Sequence, residues 1–198
     1  MIIAICGFQG AGKDTLAEVL IKKYDFIKLS FAGIVKDVAS VVFGWDRKML
    51  EGDTITSRLW REQVDEWWAK RLNMPHLTPR FILQYFGTDL FRNHFHQDVW
   101  IACIEKKISQ YKNVVITDCR FLNEIRTIKN LGGHLIHIHR GELPEWFYEA
   151  KLGIREIPKD IHPSETSWIL NEFEFSIENN STLEELHNQI KVIIDKLI

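Results

Sequence analysis

The stretch "GFQGAGKDTL", Gly7–Leu16, follows directly on the apolar run "IIAIC" of Ile2–Cys6, and together they read as a strand turning through a glycine loop into a helix. In Gly7-x-x-x-x-Gly12-Lys13 the glycines allow backbone N–H groups to converge on phosphate oxygens. The helix that follows adds its dipole. On this reading Gly10, Ala11, Gly12 and Lys13 cradle a nucleotide's phosphates, with Lys13 bridging the β- and γ-positions. Asp14 stands where the usual pattern has Ser or Thr, and Thr15 follows at once. Thr15 is therefore the expected hydroxyl on the Mg²⁺ side. Three tasks are open to Asp14: helix cap, holder of a metal's water shell, or partner of an arginine on the acceptor side.

The rest of the chain is consistent with one α/β domain. Its 198 residues are 45% hydrophobic, enough for a substantial core, and disorder is disfavoured. A formal net charge of -2 gives no broad basic field, so nucleic acid is not an expected partner. Cys6, Cys103 and Cys119 are widely spaced and form no CxxC pair, which suits a reducing compartment, and cytoplasm is the expected location. The N-terminal apolar run is too short to span a membrane, so no membrane association is expected.

Strand candidates "IIAIC", "FIKLSF", "NVVITD", "HLIHIH" and "FEFSIEN" alternate with helical stretches, the pattern of a parallel sheet covered by helices. The expected fold is a three-layer α/β/α P-loop NTPase with a mainly parallel five-stranded sheet, resembling nucleoside monophosphate kinases. "NNSTLEELHNQIKVIIDKLI" supplies a turn, Ser181 or Thr182 as N-cap, and Glu184 or Glu185 three residues on. Two segments break the rhythm, 45–80 and 141–170, and read as an acceptor-side insertion and a lid within a single domain 1–198. The first holds four of the seven tryptophans, a density that an ordinary helical core explains.

Other residues separate the classes that share the loop. No Asn is followed by Lys, so the guanine reader of GTPase switches is missing. The run "VVITD" ends at Asp118 and continues Cys119-Arg120, which gives a metal-side carboxylate without the adjacent Glu that orients an attacking water. Transfer to a bound acceptor fits better than hydrolysis. Such a kinase needs cations for the acceptor phosphate and for the transfer site. Arg80, Arg120, Arg140 and Arg155 are the candidates. Strand C-terminal ends line the crevice in parallel α/β sheets, which places Asp118, Arg120 and Arg140 near the loop.

"GAGKDT" at 10–15, "FAGIVKD" at 31–37, "PRFILQYFGTDLFRNHF" at 79–95 with Trp100, "DCRFLNE" at 118–124, "GGHLIHIHR" at 132–140, "HPSE" at 162–165 and "STLEEL" at 181–186 resemble the deoxynucleoside monophosphate kinase family of bacteriophages and related viruses. GKDT belongs to that pattern. The resemblance implies transfer of the γ-phosphoryl of ATP, with Mg²⁺, to a deoxynucleoside 5′-monophosphate (dNMP) in the cytoplasm, a host's if the chain is viral. A homodimer is compatible with it. It implies that Lys13, Asp118, Arg120 and Arg140 serve the transfer, that Thr15 and Asp118 face the metal, and that Gly10 to Thr15, Asp14 included, hold the cofactor. It further implies that Lys36 and Arg80 contact the acceptor's phosphate or its site, and that Gln84, Gly87, Thr88, Asp89, Trp100 and Glu124 shape the acceptor pocket. Gln84 would offer an amide to a base edge, and Trp100 either stacks on a base or packs. The segment "GELPEWFYEAKLGIREIPKD" at 141–160 departs from the family's basic lid, being rich in acidic and aromatic residues; Lys151 and Arg155 are its candidate cations. His162 and Glu165 read as lid anchors, not zinc ligands. A phosphomevalonate-kinase-like enzyme, which shares the GKD loop, and a non-catalytic nucleotide-binding module are the alternatives.

Overall fold

The computed structural model describes residues 1–158, 161 and 166–198. His162 and Glu165 therefore lie outside the described residues. The chain divides into two compact units, residues 1–30 with 105–198, and residues 31–104.

The first unit is built on a five-stranded sheet of order β2-β3-β1-β4-β5: β1 (Ile2–Cys6), β2 (Ile27–Leu29), β3 (Val114–Ile116), β4 (His134–His139) and β5 (Phe175–Glu178). All four pairings are parallel, with Ile3 opposite Val115 on one side and His134 on the other. The central strand shows why the order holds. β1 carries Ile3, Ala4 and Ile5 with no exposed surface, as a strand covered on both faces must. Burying each isoleucine contributes roughly 1.5–3 kcal/mol. Edge strand β5 is mostly exposed and buries Ile177. The expected strands thus all form, β2, β3 and β5 each being three residues shorter than the candidate run.

Helix α1 (Lys13–Tyr24) packs Leu16 and Leu20 into this core beside the C-terminal helix (Leu183–Leu197), whose Leu186, Ile190, Ile193 and Ile194 recur at helical spacing. Thr182 is that helix's N-cap, its side chain accepting from the Glu185 backbone N–H, which resolves the choice the sequence leaves open. Helix α7 (Leu122–Asn130) follows β3, and α8 (Glu145–Lys151) follows β4.

The second unit is helical: α2 (Phe31–Phe43), α3 (Ile55–Arg61), α4 (Glu66–Leu72), α5 (Pro79–Gln84) and a π-helix over Tyr85–Asn93, the division from the first unit falling within α6 (Val99–Ile108). Its core is aromatic. Trp45 stacks on Phe43 at 4.3 Å between centroids, with Trp60 and Trp68 edge-on to that pair and Phe86 tilted against Phe43. Trp45 donates to Asp65 at 2.7 Å and Trp68 to the Phe43 carbonyl at 3.1 Å, so their buried N–H groups are satisfied. The tryptophan-rich segment is thus mainly a packed core, with Trp67 left outward. The π-helix was not foreseen. Its i, i+5 repeat brings Phe86 and Phe91 to 5.9 Å, and Phe91 in turn meets Trp100 at 4.9 Å. Among the described residues no helix is long and apolar enough to cross a membrane.

Candidate active site

The phosphate loop is shaped by neighbours that forbid side chains at two of its glycines. A Cβ on Gly7 would lie 2.1 Å from the Ile138 carbonyl oxygen of β4, and one on Gly12 2.2 Å from Asn179 Nδ2. Gly12 also has φ near 100°. Asn179, directly after β5, donates from Nδ2 to the Ala11 carbonyl at 3.0 Å and from its backbone N–H to the His139 carbonyl at 2.8 Å. The loop is thereby tied to the ends of β4 and β5. Gly12, the N-cap of α1, provides no side-chain cap, so the first turn of that helix faces the loop with its dipole and no capping side chain in front of it, the arrangement that suits an anion. Lys13 arches back over the loop and donates to the Gly7 and Phe8 carbonyls, both at 2.8 Å. Thr15 is exposed on the same turn.

Around this loop the strand ends gather the other expected groups of the first unit. Asp118 is half-buried beyond β3 and accepts from Ser30 Oγ, at the end of β2, at 2.7 Å. Arg120 is exposed two residues on. Arg140, just past β4, lines a pocket of about 250 Å³ with Phe8, Gln9, Gly10, Ala11 and His139.

Asp14 joins three elements. Its Oδ1 accepts from Lys28 Nζ of β2 at 2.8 Å and from Thr117 Oγ1 at 2.9 Å. Burial pushes its pKa up, but the hydrogen bonds from Lys28 and Thr117 and the charges of Lys28 and Lys13 outweigh that and hold it below the ordinary aspartate value. The cation it partners is a sheet lysine rather than an arginine.

Beneath the Phe8 side of the loop lies an aromatic cluster. Phe8 meets Trp146, Phe147 and Trp168 edge-on, with centroids 5.1–6.1 Å apart. His137 stacks on Phe147, and its buried Nε2 has no partner among the described residues. Burial above all, then the neighbouring His139 and Lys151, pushes its pKa down to about 4. The candidate lid cations are engaged locally: Arg155 pairs with Glu149 at 3.2 Å, and Lys151 lies 5.2 Å from the Phe173 ring centre.

In the second unit, Arg80 opens α5 and pairs with Glu62 at 3.3 Å. Gln84 is exposed at the end of that helix, and Gly87, Thr88 and Asp89 follow on the π-helix, the latter two exposed. Lys36 is paired with Glu51 at 2.5 Å, and Arg47 spans Glu51 and Asp37.

Residues 62–190 match the family described as deoxynucleotide monophosphate kinase. The chain belongs to that family. A mimivirus protein (Acanthamoeba polyphaga mimivirus), provisionally named a deoxynucleotide monophosphate kinase, is 30% identical, the match covering 98% of this chain and 96% of that one. The deoxynucleotide monophosphate kinase of Enterobacteria phage T4 is 22% identical over 96% of this chain and 97% of its own. Shikimate kinase from Aquifex aeolicus superposes with a TM-score of 0.50 at 16% identity, over 99% of this chain and 97% of that one. That likeness is one of fold, and it agrees with the P-loop kinase architecture read from the sequence.

Two residues expected at the acceptor pocket are buried and engaged with the protein itself, Trp100 taking the packing alternative. Trp100 is 3% exposed, its Nε1 donates to the Gly87 carbonyl at 2.9 Å and its ring packs on Phe91, so it has no face for a base. Glu124 is 2% exposed, and its Oε2 accepts the backbone N–H groups of Arg120 and Phe121 at 2.8 and 3.1 Å. It caps the start of α7 and fixes the main chain that carries Arg120. Conversely, the sequence reading passed over Lys28, Ser30, Thr117 and Asn179. Ser30, Thr117 and Asn179 directly follow β2, β3 and β5, so the strand-end rule applied to every strand would have found them.

Proposed function

We propose that this kinase transfers the γ-phosphoryl of ATP to a deoxynucleoside 5′-monophosphate, giving the diphosphate and ADP. The observation that carries the reading is the glycine-shaped loop under Lys13, leading into an uncapped helix start, in a chain of this family. The donor's phosphates would lie on the first-turn amides of α1, with Lys13 exchanging its loop carbonyls for phosphate oxygens. The Lys13 ammonium then follows the charge that develops on the transferring group. Arg120 and Arg140 would neutralise that charge from the strand ends, and Arg80, Gln84, Thr88 and Asp89 would bind the acceptor.

Mg²⁺ fits the donor set. The described residues contain no group of three or more His, Cys, Asp or Glu able to hold a metal, whereas Mg²⁺ at phosphates uses one or two protein oxygens and keeps its waters. Thr15 and Asp118 would supply those oxygens, Asp118 being oriented by Ser30. Bound there, the ion would neutralise β- and γ-phosphate charge.

Incubation with ATP, Mg²⁺ and each dNMP in turn is expected to yield a diphosphate from at least one. No product from any of them would leave the reading without support.

A further inference from the structure

The loop Glu51–Asp53 of the second unit seats an arginine. The guanidinium of Arg61, in the last turn of α3, lies against Gly52, so that a Cβ there would fall 2.0 Å from both Cζ and Nη2. Gly52 has φ +68°, a conformation that favours glycine. One turn earlier, Arg58 Nε donates to the Gly52 carbonyl at 2.9 Å. Two arginines are therefore held against one short loop.

The seat leaves Arg61 under-used. Among the described residues its one hydrogen bond runs from Nη1 to the Glu51 carbonyl at 3.5 Å, and its buried Nε has no partner. The nearby carboxylates are already taken: Glu51 by Lys36 and Arg47, and Glu62 by Arg80. Burial first, then the charge of Arg80, lowers the Arg61 pKa, and Arg58 adds to the repulsion. The charges of Arg80 and Arg58 thus both act on Arg61, offset in part by Glu62 and Glu51. A guanidinium held in place in advance, with further arginines near it, matches a phosphate dianion in geometry and sign.

We propose that Arg61, seated on Gly52 and flanked by Arg58 and Arg80, binds the 5′-phosphate of the acceptor. This deepens, and rests on, the kinase reading above, and it gives the main phosphate contact to a residue outside the Lys36 and Arg80 pair expected from the sequence. Lys36 instead helps to hold Glu51, and so the loop that seats Arg61.

The test measures, for wild type, Arg61→Ala and Arg61→Lys, the affinity for each common dNMP, the inhibition constant of the matching deoxynucleoside, and the KM for ATP. Arg61→Ala is expected to weaken dNMP binding by about 10- to 100-fold, and Arg61→Lys by less, because it keeps the charge and loses the fork. Deoxynucleoside inhibition and the ATP KM should stay unchanged. Unchanged dNMP affinity, or equal losses for nucleotide and nucleoside, would reduce Arg61 to a loop anchor. If Arg61→Ala does not fold, the Lys variant decides by the same comparison. Arg61-dependent dNMP binding without any diphosphate would keep this site and sink the kinase reading. Diphosphate formation with unaltered dNMP affinity in the variants would do the reverse.

Discussion

Lys28 of β2 places its ammonium 2.8 Å from the carboxylate of Asp14 on the first turn of α1, and Thr117 donates to the same oxygen from beyond β3. The unusual residue of the phosphate loop is therefore a tie between that loop and two strand ends. Both side chains of the ion pair are well exposed, so its contribution to stability is under about 1 kcal/mol. The depressed pKa of Asp14 means that this contribution is present above the unfolded aspartate value and is lost as pH falls through the lower folded value. Thermal unfolding of wild type and Asp14→Asn should differ slightly near pH 7 and converge below about pH 4. A difference that persists in strong acid would point to something other than the ion pair.

Lys13 is predicted to be indispensable for turnover. In Lys13→Met the arching ammonium is gone while the apolar stem remains, and kcat should fall by at least about a hundredfold with little change in melting temperature. Steady-state kinetics alongside thermal unfolding would check this, and an unaltered rate would move the transfer site elsewhere.

Arg120 and Glu124 should separate chemistry from scaffolding. Arg120→Ala is expected to lower kcat more than it weakens ATP binding. Glu124→Ala strips two backbone N–H groups of their acceptor at a buried site and should cost about 1–3 kcal/mol of stability. It should also lower kcat by displacing the Arg120 main chain, whereas Glu124→Gln, which retains an acceptor oxygen, should recover part of both losses. Equal effects of Arg120→Ala on kcat and ATP affinity would assign that arginine to the donor side.

His137 predicts a pH-dependent stability. Its folded pKa of about 4 lies below the usual 6.5, so the unfolded chain binds the proton first as pH falls. Stability attributable to this residue is intact above pH 6.5, declines between 6.5 and 4, and is level below that. The full loss is about 3 kcal/mol. His137→Phe, which keeps a ring between Phe147 and Trp168, should remove this slope from denaturant unfolding measured across the window. A mutant with the wild-type slope would show that other groups carry it.

What the chain announces in one dimension and what it withholds follow from the range of the interactions concerned. Strand, glycine loop and helix are local, so "IIAIC" and "GFQGAGKDTL" specify the phosphate loop, and alternating β and α runs specify a parallel sheet without reference to partners. The cap at Thr182 is local too. The pleat and the 3.6-residue turn write themselves into sequence spacing. Asp14, Glu124, Trp100 and Arg61 differ because their partners are set by packing. Lys28 and Thr117 reach Asp14 only once β2 and β3 lie side by side, and Trp100 turns inward because the π-helix presents Phe91 to it. Arg61 looks like any surface arginine until Gly52 turns beneath it. The sequence alone determined the architecture and the phosphate loop; only the tertiary structure decided which charged side chains are held in place and by what, because those contacts join residues that no local spacing relates.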